Sequence, residues 1–193
     1  MRNSLPQTPS QTVGPFFAYG LTARQYGYGT DQIAGGRIAR ADTPGVAVRI
    51  VGQVLDGAGA PIEDALIEVW QADANGRYPE AADFADPSAF HGVGRCGTGA
   101  GTGGGFEFHT VKPGGHDGEA PHLNVVVMMR GLLLHAFTRI YFSDEESANA
   151  ADPVLALVPT ARRETLIARR IGDGIYRFDI RMQGTEETVF FDV

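Results

Sequence analysis

Apolar positions in this chain recur at a period of two more often than at a helical one. Val48, Ile50 and Val54, led by Val46, fall on one side of an alternating run with Arg49 on the other, which predicts a strand over residues 46–54. Asp56-Gly57-Ala58-Gly59 has turn chemistry and sets up a second strand at 65–71, and Asp73-Ala74-Asn75-Gly76 turns the chain again into Arg77-Tyr78. Residues 106–111 alternate. Residues 123–129 are Val-rich and too few for a typical helix, so they read as a buried strand ending at Arg130-Gly131. One or two further strands are expected over 132–142, and 176–180 and 188–191 close the chain as strands.

Helical signals are few. Residues 144–149 carry one, and 160–168 carry a better one, capped by Thr160 and stopped near Gly172. Residues 21–45 sustain no period and read as surface loop with at most one short helix; 84–105 are loop-like, with a tight turn or hairpin in the glycine-dense 97–105. Residues 8–17 hold two prolines, a glycine and two adjacent aromatics, which predicts an extended arm packed on its own domain or on a partner. The expectation is an all-β protein: a β-sandwich with short peripheral helices and long loops, one domain over 1–193 with an extended N-terminal arm to about residue 20. No repeat of 20 to 50 residues is visible.

At 193 residues a domain buries a substantial core without covalent staples. The single cysteine, Cys96, rules out an internal disulfide and reads as a small packing residue; with no apolar leader and no run long enough to span a bilayer, a soluble cytoplasmic protein is expected. Sixteen Lys+Arg against 23 Asp+Glu give a formal charge of −7, and all but one of the basic residues are Arg. That balance argues against nucleic-acid or anionic-membrane binding, and it means that any anion site must be built locally from placed arginines or backbone amides.

Phosphate loops, nucleophile elbows and His-Glu-x-x-His zinc helices are all missing. His91, His109 and His135 read as ordinary loop or strand residues. Ala120-Pro121-His122-Leu123-Asn124 is different: a His-x-His pair on a strand points both imidazoles to one face where they can close on a metal, and here the second position is Asn124, a neutral amide and a poor transition-metal ligand. Taken alone, His122 also reads as an ordinary histidine where a strand begins.

Val69-Trp70-Gln71-Ala72-Asp73-Ala74-Asn75-Gly76-Arg77-Tyr78, then Gly92-Val93-Gly94-Arg95, Val111-Lys112-Pro113-Gly114 and Ala120-Pro121-His122 form an ordered set, flanked by Thr8-Pro9-Ser10-Gln11-Thr12-Val13-Gly14-Pro15 and Tyr176-Arg177-Phe178-Asp179-Ile180. This set resembles the intradiol ring-cleavage dioxygenases, and most closely the alpha chains of their two-chain members, over nearly the whole sequence. The resemblance implies a non-haem ferric enzyme on a β-sandwich. Its Fe(3+) is held by two Tyr and two His of a homologous beta subunit and is not expected in this chain, and its substrates are protocatechuate and O2, joined in ring opening between the hydroxyls.

Residue by residue, Tyr78 matches the first tyrosine ligand and His122 the first histidine, Asn124 replaces the second histidine, and Gly115-His116 stands where the other tyrosine is expected. The resemblance also implies that alpha chains complete the partner's pocket, through positions that correspond here to Thr12, Gly14, Pro15, Phe16 and Arg130. Phe16 departs from the tyrosine common in relatives. Two other readings stay open: iron held by this chain through Tyr78, His116 and His122, and a non-catalytic β-sandwich binding module.

Overall fold

The structure, a computed structural model, describes residues 9, 11–14, 16–99 and 103–192. Its strands are β1 (Ala47–Leu55), β2 (Leu66–Gln71), β3 (Val93–Gly97), β4 (Gly105–Val111), β5 (His122–Met128), β6 (Ala136–Phe142), β7 (Ile167–Gly172), β8 (Ile175–Arg177) and β9 (Ile180–Arg181). They form one mixed sheet in the order β3-β2-β5-β6-β7-β8-β1-β4, with β9 beside β1. The β3 and β4 ends of that path lie against each other, so the sheet is nearly closed and barrel-like.

Alternation explains which face goes inward. On β1, Val48, Ile50 and Val54 are buried and Ala47 and Arg49 exposed, while Leu123, Val125 and Val127 of β5 are fully buried. Both strands feed one core with Ile67 and Val69, Phe106 and Phe108, Ile140 and Phe142. Phe108 is completely enclosed, and cutting such a ring back to alanine costs about 3–5 kcal/mol. Gln71, fully buried, is satisfied: its amide donates to the carbonyls of Ala72 and Val111, and its oxygen accepts from Thr110 at 2.7 Å.

Several elements differ from the sequence reading. β3 lies within a stretch read as loop, and β7 takes the end of the segment read as helix. Residues Thr160–Leu166 form a 3-10 helix without a side-chain cap, so Thr160 does not cap it. The capped helix is α3 (Pro153–Leu157), where Asp152 accepts from the amides of Val154 and Leu155, next to α2 (Glu146–Ala151). Residues 188–191 contribute only a bridge between Phe137 and Phe191, and 132–135 join β5 to β6 as a turn. Phe17, read as the end of the extended arm, opens the short helix α1 (Phe17–Leu21). Cys96 is buried, and burial pushes its thiol pKa up, which fits a packing residue and not a nucleophile.

Candidate functional site

Two groups of side chains carry the expected chemistry. The first is built on β5, β6 and the two loops facing them. Asp73 accepts from the amides of Asn75 and Arg77 at 2.9 Å each and so shapes the turn that carries Tyr78. Gly76 sits in this turn at φ 83°, and a Cβ there would meet the Gly115 carbonyl oxygen at 2.0 Å. The glycine thus allows the Tyr78 turn and the His116 loop to touch, and His116 Nδ1 donates to the Gly76 carbonyl at 2.7 Å.

Within this frame, Asn124 Nδ2 donates to the Tyr78 hydroxyl at 2.9 Å, and that hydroxyl faces His122 Nε2 at 3.4 Å. His122 Nδ1 donates to the Ala120 carbonyl at 2.8 Å, leaving Nε2 as the acceptor. Burial holds the His122 pKa below its ordinary value, assisted by the charge of Arg139, so the imidazole is neutral at pH 7. Burial also raises the pKa of Tyr78, although Arg139 and the Asn124 hydrogen bond pull the other way. His116 lies edge-on to Tyr78 with ring centres 5.1 Å apart.

Four residues around this group had not been read as part of it. Arg139 lies directly across from Asn124 in the β5–β6 register and pairs with Glu119 at 3.0 Å, and Glu119 stands 3.5 Å from His122 Nε2. Arg139 also donates to the Tyr141 hydroxyl, which donates to the fully buried Asp152. A charged residue in the mostly apolar β6 was the available signal; its partner depends on strand register.

The second group is the arm and the end of β5. Thr12 Oγ1 accepts from the Gly131 amide at 3.1 Å, so a residue of the arm is tied to the turn after Arg130. Arg130 is exposed and its Nε pairs with Asp64. Gly14 is exposed, and its carbonyl accepts from Phe17. Phe16 is 77% exposed with its ring 5.8 Å from Tyr19, and Pro15 lies outside the described residues.

Residues 26–184 match the sequence model of a family described as Dioxygenase. The protocatechuate 3,4-dioxygenase alpha chain of Burkholderia cepacia is 54% identical over 195 residues, covering 98% of this chain and 99% of the relative. The chain belongs to the intradiol ring-cleavage dioxygenase family. The corresponding alpha chain of Pseudomonas putida is 47% identical, covering 97% of each chain, and the beta chain from Burkholderia cepacia is 34% identical over 75% of this chain and 67% of its own. Among solved structures, the dioxygenase domain of a carbohydrate-binding fusion from Streptomyces sp. SirexAA-E superposes with a TM-score of 0.57 at 27% identity, covering 91% of this chain and 97% of that one.

Against the two-Tyr, two-His set that the family resemblance implies, the donors here do not fit a ferric ion. Asn124 turns an N–H toward the phenol oxygen instead of a lone pair toward a metal, and Arg139 brings a fixed positive charge to the same face. Among the described residues no group of three or more His, Cys, Asp and Glu is placed to hold a metal ion. What remains is a hydrogen-bonded relay from Asn124 through Tyr78 and His122 to a backbone carbonyl, beside an ion pair. No helix among the described residues is long and apolar enough to cross a membrane.

Proposed function

We propose that this chain is the alpha subunit of a protocatechuate 3,4-dioxygenase in which a homologous beta subunit holds the Fe(3+). The observation that carries this reading is the capped donor set: Tyr78 and His122 are bound to Asn124, Ala120 and each other, with Arg139 alongside. A chain of that kind contributes surface instead of metal. Full-length likeness to two alpha chains, and partial likeness to a beta chain, supports an obligate alpha–beta pair that assembles further.

In this reading a ferric ion would be held by the Tyr and His set of the beta subunit and would supply the activation of protocatechuate toward O2, for ring cleavage between the hydroxyls to 3-carboxy-cis,cis-muconate. This chain's part is to position the substrate. Thr12, Gly14, Pro15 and Phe16 supply an edge of hydroxyl, backbone and ring, and Arg130 supplies a guanidinium for the substrate carboxylate. The bond from Gly131 to Thr12 supports the pairing of arm and arginine, because it holds them together before any partner docks. Arg130 reaches the carboxylate while shared with Asp64.

We infer further that the chain is one cytoplasmic domain with an arm to about residue 20. In it, β3-β2-β5-β6 and β7-β8-β1-β4 face each other as a sandwich. Support comes from the larger core cluster, to which both halves contribute. Co-expression with a homologous chain carrying the intact Tyr and His set tests the proposal. A stable complex should cleave protocatechuate, and the isolated chain should be inactive; failure to form any complex would favour a non-catalytic sandwich module.

A further inference from the structure

A cleft of ≈ 510 Å³ lies between the Thr160–Leu166 turn, β7 and the segment after β8. It shares no lining residue with the Tyr78 group or the arm. Four guanidinium groups line it, those of Arg162, Arg169, Arg177 and Arg181, against three carboxylates, Glu164, Asp179 and Glu186. A local positive excess runs against the −7 of the whole chain.

The pairing inside the cleft is uneven. Arg177 holds Asp179 at 2.9 Å, and Arg181 reaches Glu186 only at 3.6 Å. Arg162 and Arg169 have no carboxylate partner among the described residues, as is true outside the cleft of Arg37 and Arg163, whereas Arg24, Arg49, Arg77, Arg95 and Arg139 each have one. Arg162 is nevertheless fixed. Its Nη2 donates to the Glu187 carbonyl at 2.6 Å, its own carbonyl accepts from Thr165 Oγ1 at 2.8 Å, and its buried Nε–H has no acceptor among the described residues. Arg169 stands on β7, whose pairing with β8 fixes its backbone. Two guanidinium groups in no ion pair, one of them held in place, against the single cleft carboxylate in none, Glu164, leave the local positive excess from which an acidic protein builds an anion site.

We propose that this cleft binds a small multivalent oxyanion, with Arg162 and Arg169 as its charge partners. Phosphate and an oligocarboxylate share that chemistry. The site is separate from the substrate contacts proposed for Thr12 and Arg130 and does not depend on them.

The test is calorimetric titration of the assembled alpha–beta enzyme with inorganic phosphate and, separately, with citrate, at ionic strength balanced by sodium chloride. The expected result is saturable binding of one anion per alpha chain, weakened at least tenfold in Arg169→Gln, an exposed position whose change leaves the fold intact. Tighter citrate binding would identify an oligocarboxylate ligand, and tighter phosphate binding a phosphate. Arg162→Gln is a second variant with the same expected loss. No saturable binding at millimolar anion, or equal affinity in wild type and both variants, would overturn the proposal. So would protection of residues 161–169 from hydrogen exchange in the assembly relative to the isolated chain, which would make the cleft a subunit contact.

Discussion

Asn124 and Arg139 stand opposite each other across β5 and β6, the first bonded to the Tyr78 phenol and the second to Glu119. Each works against a metal ion in its own way: the amide occupies a ligand position without offering a lone pair, and the guanidinium places a positive charge on the same face. Two like unit charges ~6 Å apart repel by roughly 3 kcal/mol at an effective dielectric of about 20, and a ferric ion multiplies that. Asn124→His alone is therefore expected to leave the chain without iron. Asn124→His combined with Arg139→Gln should take up measurably more metal, with His116 available as a further donor. Metal analysis of the two variants side by side checks this, and equal iron in both would remove Arg139 from the account.

Arg130 is paired with Asp64, so the substrate-carboxylate contact proposed for it competes with that ion pair. Arg130→Ala should raise KM for protocatechuate in the assembled enzyme roughly tenfold or more, as expected for losing a charge-assisted hydrogen bond of about 1.5–3 kcal/mol. Iron content should not change. Asp64→Asn frees the guanidinium and should lower KM. Steady-state kinetics on both variants decide whether Arg130 faces the pocket, and an unchanged KM in both would take it out.

His122 is buried and neutral, with its pKa depressed first by desolvation. A histidine that binds its proton less readily when folded contributes stability above its unfolded pKa of about 6.5, and loses it as the pH falls toward the folded value. The melting temperature of the wild-type chain should drop on acidification through that window. His122→Gln should be less stable at pH 7 but flatter from pH 7 to 5. Parallel slopes in the two proteins would show that another group controls the acid limb.

Lys112, the only lysine, is nearly enclosed at the end of β4 and contacts Glu145 at 2.5 Å and Asp144 at 3.0 Å. Burial disfavours its charge, yet the two carboxylates outweigh that and raise its pKa. Its ammonium also lies 5.2 Å from the centre of the Phe142 ring. Lys112→Met removes the partner of two half-buried carboxylates and should cost about 1–3 kcal/mol in chemical denaturation. A change below a few tenths would show that this pairing is incidental.

Strands whose side chains alternate were legible from sequence, as β1 and β4 demonstrate, because one face of each is core. β3 was not, because Val93-Gly94-Arg95-Cys96-Gly97 has no apolar alternation. Gly94 belongs in the sheet because Ile38 and Phe108 fill the space where its Cβ would stand, and that is a property of the partners. β7 was hidden by helix-like spacing in 160–168; pairing of Tyr141 with Ile167 and Phe142 with Ala168 overrides that local preference. At the site, spacing puts Asn124 on the strand face of His122, and only the family resemblance made that position a replaced ligand. The Arg139–Glu119 pair and the Asp64 partner of Arg130 were not, since each joins residues that only strand register or chain folding brings together.

Iron quantified in the isolated chain and in the assembled alpha–beta enzyme, together with the visible absorption of each, tests the central claim most directly. The account predicts no stoichiometric iron and no tyrosinate-to-iron charge-transfer band in the isolated chain, and one iron with that band per alpha–beta pair. A coloured isolated chain holding one iron that is lost on Tyr78→Phe would contradict it.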